Sequence, residues 1–164
     1  MNLEQFSQWY INNNYPIRIP QDAKVYVTDY TFSIPIFRDG PFQVELYLVK
    51  GNTTSPKHYH NAEQISIFLG GLVNTRKGKD ISEDPEWGSA GSSNPTYSDF
   101  PSKDAGAVGK LLTTDTWHQI RTGNRGAVFL VIQHWDNSEI TSAVIDWKGE
   151  PIGPEHTNTI LNEK

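Results

Sequence analysis

Two histidines that are one residue apart, His58 and His60, are the residues of this chain best suited to do chemistry. In an extended strand they point to the same side, because successive side chains alternate between the two faces. A third histidine, His118, could return to the same place from another strand. Neutral imidazoles that converge in this way form a divalent-metal site, commonly for zinc, iron, nickel or copper. The spacing therefore predicts a metal site built from these three histidines.

A further ligand could come from either of two neighbouring residues, Glu63 and Gln64. The two cannot both reach one metal from a regular strand, because adjacent side chains lie on opposite faces. Chemistry favours Glu63, since a carboxylate is a stronger ligand than a neutral amide oxygen. If Glu63 is not a ligand, either it or Asp115 is a candidate general base beside the site.

The stretch from Gly51 to Gly71 resembles the first motif of the cupin superfamily. That motif reads glycine, a short loop, His-x-His, three or four residues, glutamate, six residues and glycine. Counting three residues after His60 puts Gln64 at the ligand position and Gly71 at the final glycine. Glu63 fits only if the loop is one residue shorter. The family spacing thus favours Gln64, and Glu63 stays open as the alternative.

The second cupin motif, glycine, five residues, Pro-x-Gly-x-x-His, three residues and Asn, is present in part. His118 supplies its histidine, while Thr113 and Asp115 stand where proline and glycine are expected, and Thr122 stands where the asparagine is expected. Together the two motif regions span roughly residues 44 to 134. The chain resembles one cupin domain, with no internal repeat that would indicate a tandem pair.

The resemblance implies a jelly-roll β-barrel that binds a divalent metal ion (zinc, iron, nickel or manganese) and a small polar substrate. Sugar isomerases, epimerases and dioxygenases all occur among cupins, so the same site is compatible with several reactions. The alternative is a non-enzymatic cupin that serves in carbohydrate binding, structure or assembly. In either class we expect a homo-oligomer, because cupins often dimerise through their N-terminal segments.

Composition limits the classes of function that remain. The chain has 164 residues, the length of one domain, and 36% hydrophobic residues indicate a globular protein. Its formal charge of −5 argues against nucleic-acid binding, which requires a basic surface. There is no cysteine, which leaves histidine, carboxylate and amide as metal ligands. The N-terminus has no signal-peptide pattern and no apolar stretch could span a bilayer, so we expect a cytoplasmic protein without a membrane partner.

The hydrophobic pattern predicts an all-β fold after one short N-terminal helix. Apolar residues at helical spacing over residues 2 to 11, with Asn2 as N-cap, predict that helix. Beyond it the period changes to two, with a turn at Asp39-Gly40 and a tight connection over Gly123–Gly126. The predicted strands are Lys24–Tyr30, Phe42–Val49, Gln64–Val73, Gly109–Leu112, Trp117–Arg121, Ala127–His134 and Ile140–Trp147. Many short strands without helices between them predict a sandwich or barrel.

We predict three regions: a helix and extended arm (1–20), the barrel (21–150) and a tail (151–164). The barrel carries a long insertion (74–106) rich in Gly, Pro and Ser. It could be a solvated loop, or a lid or partner-contact loop anchored by its aromatic residues, which are Trp87, Tyr97 and Phe100. His134 shares a face with apolar neighbours and is either a strand-end residue or part of a pocket wall.

Overall fold

The structure is a computed structural model that describes residues 1–27, 30–58, 62–89, 107–108, 111–114, 116–135 and 157–158. Within these ranges one helix precedes eight strands. They are α1 (Leu3–Asn12), β1 (Lys24–Val27), β2 (Thr31–Asp39), β3 (Phe42–Val49), β4 (Ala62–Gly78), β5 (Gly88–Ser89), β6 (Ala107–Val108), β7 (Trp117–Trp135) and β8 (Thr157–Asn158). All strand pairs are antiparallel, in the order β5-β4-β7-β3-β2-β1-β8, with β6 beside β4. In the described part of the chain, no helix has the length and apolar character needed to cross a membrane.

The predicted N-terminal helix is confirmed, together with its cap. Asn2 and Gln5 form a capping box, in which the Gln5 amide N–H donates to Asn2 Oδ1 at 2.8 Å and the Asn2 amide N–H donates to Gln5 Oε1 at 2.9 Å. The apolar side of α1, formed by Leu3, Phe6 and Tyr10, is buried against the barrel. The helix is therefore packed on its own domain.

A long antiparallel ribbon of β4 and β7 forms the centre of the fold. Its pairing runs from Ala62 opposite Trp135 to Gly78 opposite Trp117, with register shifts on either side of Gly70 and Gly71. The expected tight connection at Gly123–Gly126 was wrong, because β7 continues through it. Gly126 takes a positive φ of 77°, which bends the strand without ending it.

Strand β2 was missing from the sequence prediction because it contains Pro35, which cannot donate to a sheet. The register between β2 and β3 shifts between Pro35 and Phe37, and this irregularity accommodates the proline. The predicted turn at Asp39-Gly40 is present, with Gly40 at a φ of 56°, but it joins β2 to β3 instead of joining the predicted strands Lys24–Tyr30 and Phe42–Val49. Of the other predicted strands, Ile140–Trp147 lies outside the described residues.

The central sheet carries a buried apolar cluster on each of its faces. One face, here called the outer face, packs against α1 through residues such as Phe42, Val44 and Ile132. The other, here called the inner face, carries a second apolar cluster that includes Phe68 and Phe129. Polar residues that alternate with apolar ones in these strands are therefore enclosed in the barrel instead of facing water.

The beginning of the predicted insertion is ordered β-structure, since β4 extends to Gly78. The segment after it folds back over the outer face of the ribbon. There the ring of Trp87 contacts two guanidinium groups, those of Arg76 and Arg121, at 4.7 and 4.5 Å from its centroid. Tyr97 and Phe100, the other two proposed anchors, lie outside the described residues.

Candidate metal centre

Two of the candidate histidines, His58 and His118, are direct neighbours in the barrel wall. Their backbones exchange two hydrogen bonds, from the His58 N–H to the His118 carbonyl at 3.0 Å and from the His118 N–H to the His58 carbonyl at 2.7 Å. Their ring centroids are 4.3 Å apart, and the rings are inclined by 64°. The side chain of His118 is buried on the inner face. The two imidazoles are thus held close together by strand pairing.

The tautomer of His58 is determined by its hydrogen bond. Its Nδ1 lies 2.8 Å from the Pro56 carbonyl oxygen, which can only accept, so Nδ1 carries the proton. Desolvation in the barrel lowers the pKa of the His58 imidazole, and the bond to Pro56 partly opposes this effect. A neutral ring with a protonated Nδ1 carries its lone pair on Nε2, and this is the form that binds metals.

Gln64 reaches the same place from β4. Its Nε2 lies 3.4 Å from His118 Nε2, although the two residues belong to distant parts of the ribbon. His118 is paired with Lys77, and in a straight strand Gln64 and Lys77 would be about 40 Å apart. The two halves of the bent ribbon must therefore face each other across the barrel interior.

Glu63 lies on the opposite face of β4 from Gln64, as alternation requires. It is paired with His134, whose Nδ1 is 3.7 Å from Glu63 Oε1. The ring of His134 stacks on Phe42 at 4.7 Å, at the edge of the outer cluster beneath α1. Both Glu63 and His134 are partly exposed to solvent. These two residues form a separate pair, away from the imidazoles of His58 and His118.

Two other candidate residues, His60 and Asp115, lie outside the described residues. Among the residues that the structure does describe, no group of three or more His, Cys, Asp or Glu side chains is arranged to hold a metal ion. The described part of the candidate site is accordingly His58, His118 and the amide of Gln64.

The three described side chains have the chemistry that a divalent metal requires. Gln64 is buried, and its Oε1 has no hydrogen-bond partner among the described residues. Ligand atoms about 2.1 Å from a tetrahedral ion lie about 3.4 Å apart, which matches the separation between the Gln64 and His118 side chains. An amide oxygen and nitrogen exchange places by a half-turn of the group. The residues present therefore fit a metal held by imidazoles and one amide oxygen.

The sequence analysis missed a row of polar residues on the inner face. Gln43, Glu45 and Gln133 are fully buried there. Gln43 Nε2 donates to Glu45 Oε1 at 3.1 Å and to Gln133 Oε1 at 3.2 Å. The alternation of Gln43 and Glu45 with apolar residues was visible in β3, but such a pattern usually indicates a face in contact with water. Only the burial of both sheet faces places these residues inside.

The antiparallel jelly roll is the arrangement of the cupin fold, and solved structures of that fold resemble this chain. KdgF from Halomonas sp. matches with a TM-score of 0.51 and 9% identity, over 74% of this chain and 96% of that protein. An oxalate decarboxylase from Lactobacillus farciminis in complex with formate matches with a TM-score of 0.54 and 11% identity, over 77% of this chain. A mutant of the oxalate decarboxylase OxdC from Bacillus subtilis matches with a TM-score of 0.58 and 10% identity, over 80% of this chain.

The expected cupin-type jelly-roll fold is thus confirmed. The chain spans about a third of the two oxalate decarboxylases, 34% and 32% of their lengths. No protein-family model and no curated protein matches the sequence. At such low identities the likeness shows the fold alone, so the chemistry of this chain has to be inferred from its own residues.

Proposed function

We propose that this protein is a metal-binding cupin in which His58, His60 and His118 hold a divalent ion, with Gln64 as a further ligand. The observation that carries the proposal is the approach of Gln64 to His118 across the barrel, 3.4 Å between their Nε2 atoms. It is supported by the tautomer of His58, whose Nε2 is left free of a proton. The Oε1 of Gln64 has no hydrogen-bond partner among the described residues, which leaves the amide oxygen able to serve as that ligand.

When bound, such an ion acts as a Lewis acid that polarises a carbonyl or hydroxyl oxygen of a substrate. The residues of the chain contribute binding and orientation. The Pro56 carbonyl fixes the orientation of the His58 ring. The apolar cluster that contains Phe68 and Phe129 keeps water away from the part of the inner face that it covers. We propose a small polar substrate and a reaction of the isomerase, epimerase or dioxygenase kind.

The proposal is tested by the metal content of purified protein. We expect near-stoichiometric metal in protein prepared without a chelator, measured by plasma mass spectrometry, and its loss in His58→Ala and His118→Ala. The matched control is His134→Ala, which removes a histidine from the outer face and should keep the metal. A metal-free protein with an unchanged fold would instead support the alternative, a non-enzymatic cupin used in carbohydrate binding, structure or assembly.

The same measurement distinguishes the two candidates for the oxygen ligand. Gln64→Glu should raise metal affinity by about tenfold in competition with a chelator, because a carboxylate replaces a neutral oxygen at the same position. Glu63→Gln should leave the affinity unchanged, since Glu63 faces His134. A loss of metal in Glu63→Gln alone would reverse this assignment.

As partners we propose a small-molecule ligand and further copies of the same chain.

A further inference from the structure

The amide of Gln133 has a defined orientation in the barrel interior. Its Oε1 accepts two hydrogen bonds, from Trp135 Nε1 at 3.1 Å and from Gln43 Nε2 at 3.2 Å. An indole N–H can only donate, so the atom that faces Trp135 must be the oxygen. The Nε2 of Gln133 is thus turned to the other side, where it has no hydrogen-bond partner among the described residues.

The orientation of Gln43 is fixed in the same way from the edge of the sheet. Arg38 donates to Gln43 Oε1 from Nε at 3.0 Å and from Nη2 at 2.7 Å, and a guanidinium has no acceptor. The Nε2 of Gln43 must then be the atom that donates to Gln133. Arg38 therefore donates to Gln43, and Gln43 donates to Gln133. This chain of hydrogen bonds ends at the Nε2–H of Gln133, which donates to no described residue.

This free donor lies beside the proposed metal site. Gln133 is paired in register with Gln64, so their side chains share the inner face at a Cβ separation of about 5 Å. Gln133 is fully buried, and a buried donor that lacks an acceptor is costly. The donor is thus suited to an oxygen of a molecule bound at the metal site.

A positive charge stands at the other side of the site. Lys77 is paired in register with His118 and lies on the same face of the sheet. His118 is paired on its other side with His58, so the three residues are neighbours across adjacent strands. Its side chain is exposed, and it forms no ion pair with any residue that the structure describes. A cation in this position attracts anions to this side of the site and repels cationic molecules.

We propose that the ligand of this site is a small carboxylate, which Gln133 binds through its Nε2–H and Lys77 attracts through its charge. The inference rests on the proposed function, because Lys77 is the register partner of His118 and Gln133 is the register partner of Gln64, which are two of the proposed metal ligands. It adds two residues and a substrate class to that function. Gln133 supplies a neutral donor directed at a fixed point, and Lys77 supplies the preference for a negative ligand.

The test for Gln133 is the variant Gln133→Glu, with malonate as the probe. A glutamate oxygen can still accept from Trp135 and Gln43, so the substitution replaces chiefly the inward donor. We expect malonate to bind the variant at least about tenfold more weakly than wild type in calorimetric titrations of protein as purified. The matched control is Gln119→Glu, the same change on the outer face of β7, where Gln119 contacts Arg76 and Ser55. It should leave malonate binding unchanged.

Lys77 is tested with Lys77→Gln, and Lys79→Gln serves as the control for loss of one nearby charge. We expect a severalfold loss of malonate affinity in Lys77→Gln alone, and a loss that shrinks as ionic strength rises. Malonamide, the neutral counterpart of malonate, should bind equally to wild type and Lys77→Gln. If Lys77→Gln lost the same affinity for malonate and for malonamide, a role for the Lys77 charge would be contradicted.

If Gln133→Glu fails to fold, the side-chain NH₂ signals of wild-type Gln133 in NMR spectra provide the same information, and they should shift when malonate is added. Malonate binding that needs Gln133 in a metal-free protein would overturn only the proposed metal function. Stoichiometric metal together with malonate binding unaffected by Gln133→Glu would overturn only the present inference. So would the absence of malonate binding to wild type, which would assign a buried water to the donor.

Discussion

The imidazole of His58 is prepared by its surroundings before any ligand arrives. The Pro56 carbonyl oxygen accepts a hydrogen bond from His58 Nδ1 at 2.8 Å, and desolvation lowers the pKa of the ring. Desolvation favours the neutral ring, while the hydrogen bond to Pro56, which by itself raises the pKa, keeps the one proton of that neutral ring on Nδ1 and leaves Nε2 unprotonated. Neither effect can be recognised from a sequence motif. Pro56 acts through its backbone carbonyl, and desolvation depends on the fold around His58.

Tyr10 allows a prediction about pH. Its hydroxyl donates to the Pro16 carbonyl at 2.9 Å, and burial, with a smaller contribution from Tyr15, raises its pKa from 10.0 to about 12. Because the folded pKa lies above the unfolded one, this stabilisation is complete below about pH 10 and is lost as pH rises towards 12. A shift of this size corresponds to roughly 2 to 3 kcal/mol.

We therefore expect the free energy of unfolding to fall by about 2 kcal/mol more in wild type than in Tyr10→Phe between pH 9 and pH 12. Urea unfolding at several pH values measures this difference. The comparison with the variant removes the contributions of other tyrosines and of lysines. An equal pH dependence of the two proteins would contradict the assignment to Tyr10.

At the scale of residues, the sequence predicted that His58 and His118 lie close together, as the structure shows, but it did not predict which side chains surround them. The alternation rule foresaw that Glu63 and Gln64 must face opposite ways, and it could not tell which one faces His118. The burial of Gln133 could not be predicted, because a single glutamine near the end of an apolar strand is usually exposed to solvent. Its importance comes from Trp135 and Gln43, which orient its amide.

Among the elements, the bent ribbon of β4 and β7 determines where the site can be. Gly71 and Gly126, with φ values of 81° and 77°, lie near its bend. A Cβ on Gly126 would collide with the Val49 carbonyl oxygen, and one on Gly71 would collide with the Gly126 carbonyl oxygen. The strands thus approach closely at a point where side chains have no room.

We predict that Gly126→Ala destabilises the protein by about 2 to 4 kcal/mol, because strain at positive φ adds to a backbone collision. Gly40→Ala is the matched control. Gly40 also has a positive φ, 56°, but no atom lies within 4 Å of the added Cβ, so we expect a loss of only about 1 kcal/mol. Urea unfolding of both variants measures the difference. Equal losses would show that φ alone determines the cost.

The class of elements was predictable, while their continuity was not. Alternating apolar residues indicated β3 and most of β4 and β7, and the capped helix was found nearly to the residue. Pro35 concealed β2, because a bulge that tolerates proline depends on the partner strand. The glycines at 123 and 126 suggested a turn, since the sequence does not show whether a positive φ reverses a strand or only bends it.

At the scale of the whole molecule, an apolar row lies on the surface of the part of the chain that the structure describes. Val27, Phe32, Leu48 and Val128 are register partners across four adjacent strands. Val27 is 50% exposed and Leu48 is 42% exposed. Contiguous apolar surface of this kind usually marks an interface. Since a homo-oligomer is already expected, a second copy of the chain is the occupant we propose for it.

Light scattering during size-exclusion chromatography should therefore give a mass that is a multiple of the 18.5 kDa chain. Leu48→Lys places a charge in the middle of the row and should shift the mass towards the monomer. Lys77→Gln, a substitution away from the row, should not. A monomeric wild type at micromolar concentration would contradict this prediction, and an oligomer unaffected by Leu48→Lys would assign the interface to another surface.

Because β7 pairs with β4 along its length and with β3 along its second half, and because both His118 and Gln133 lie on it, the proposed site and the barrel share one backbone. Such an element cannot fray at one end and leave the other end functional. Loss of binding on heating or in denaturant should then coincide with loss of the fold in a single cooperative step. Damage to the site without unfolding would have to come from its side chains.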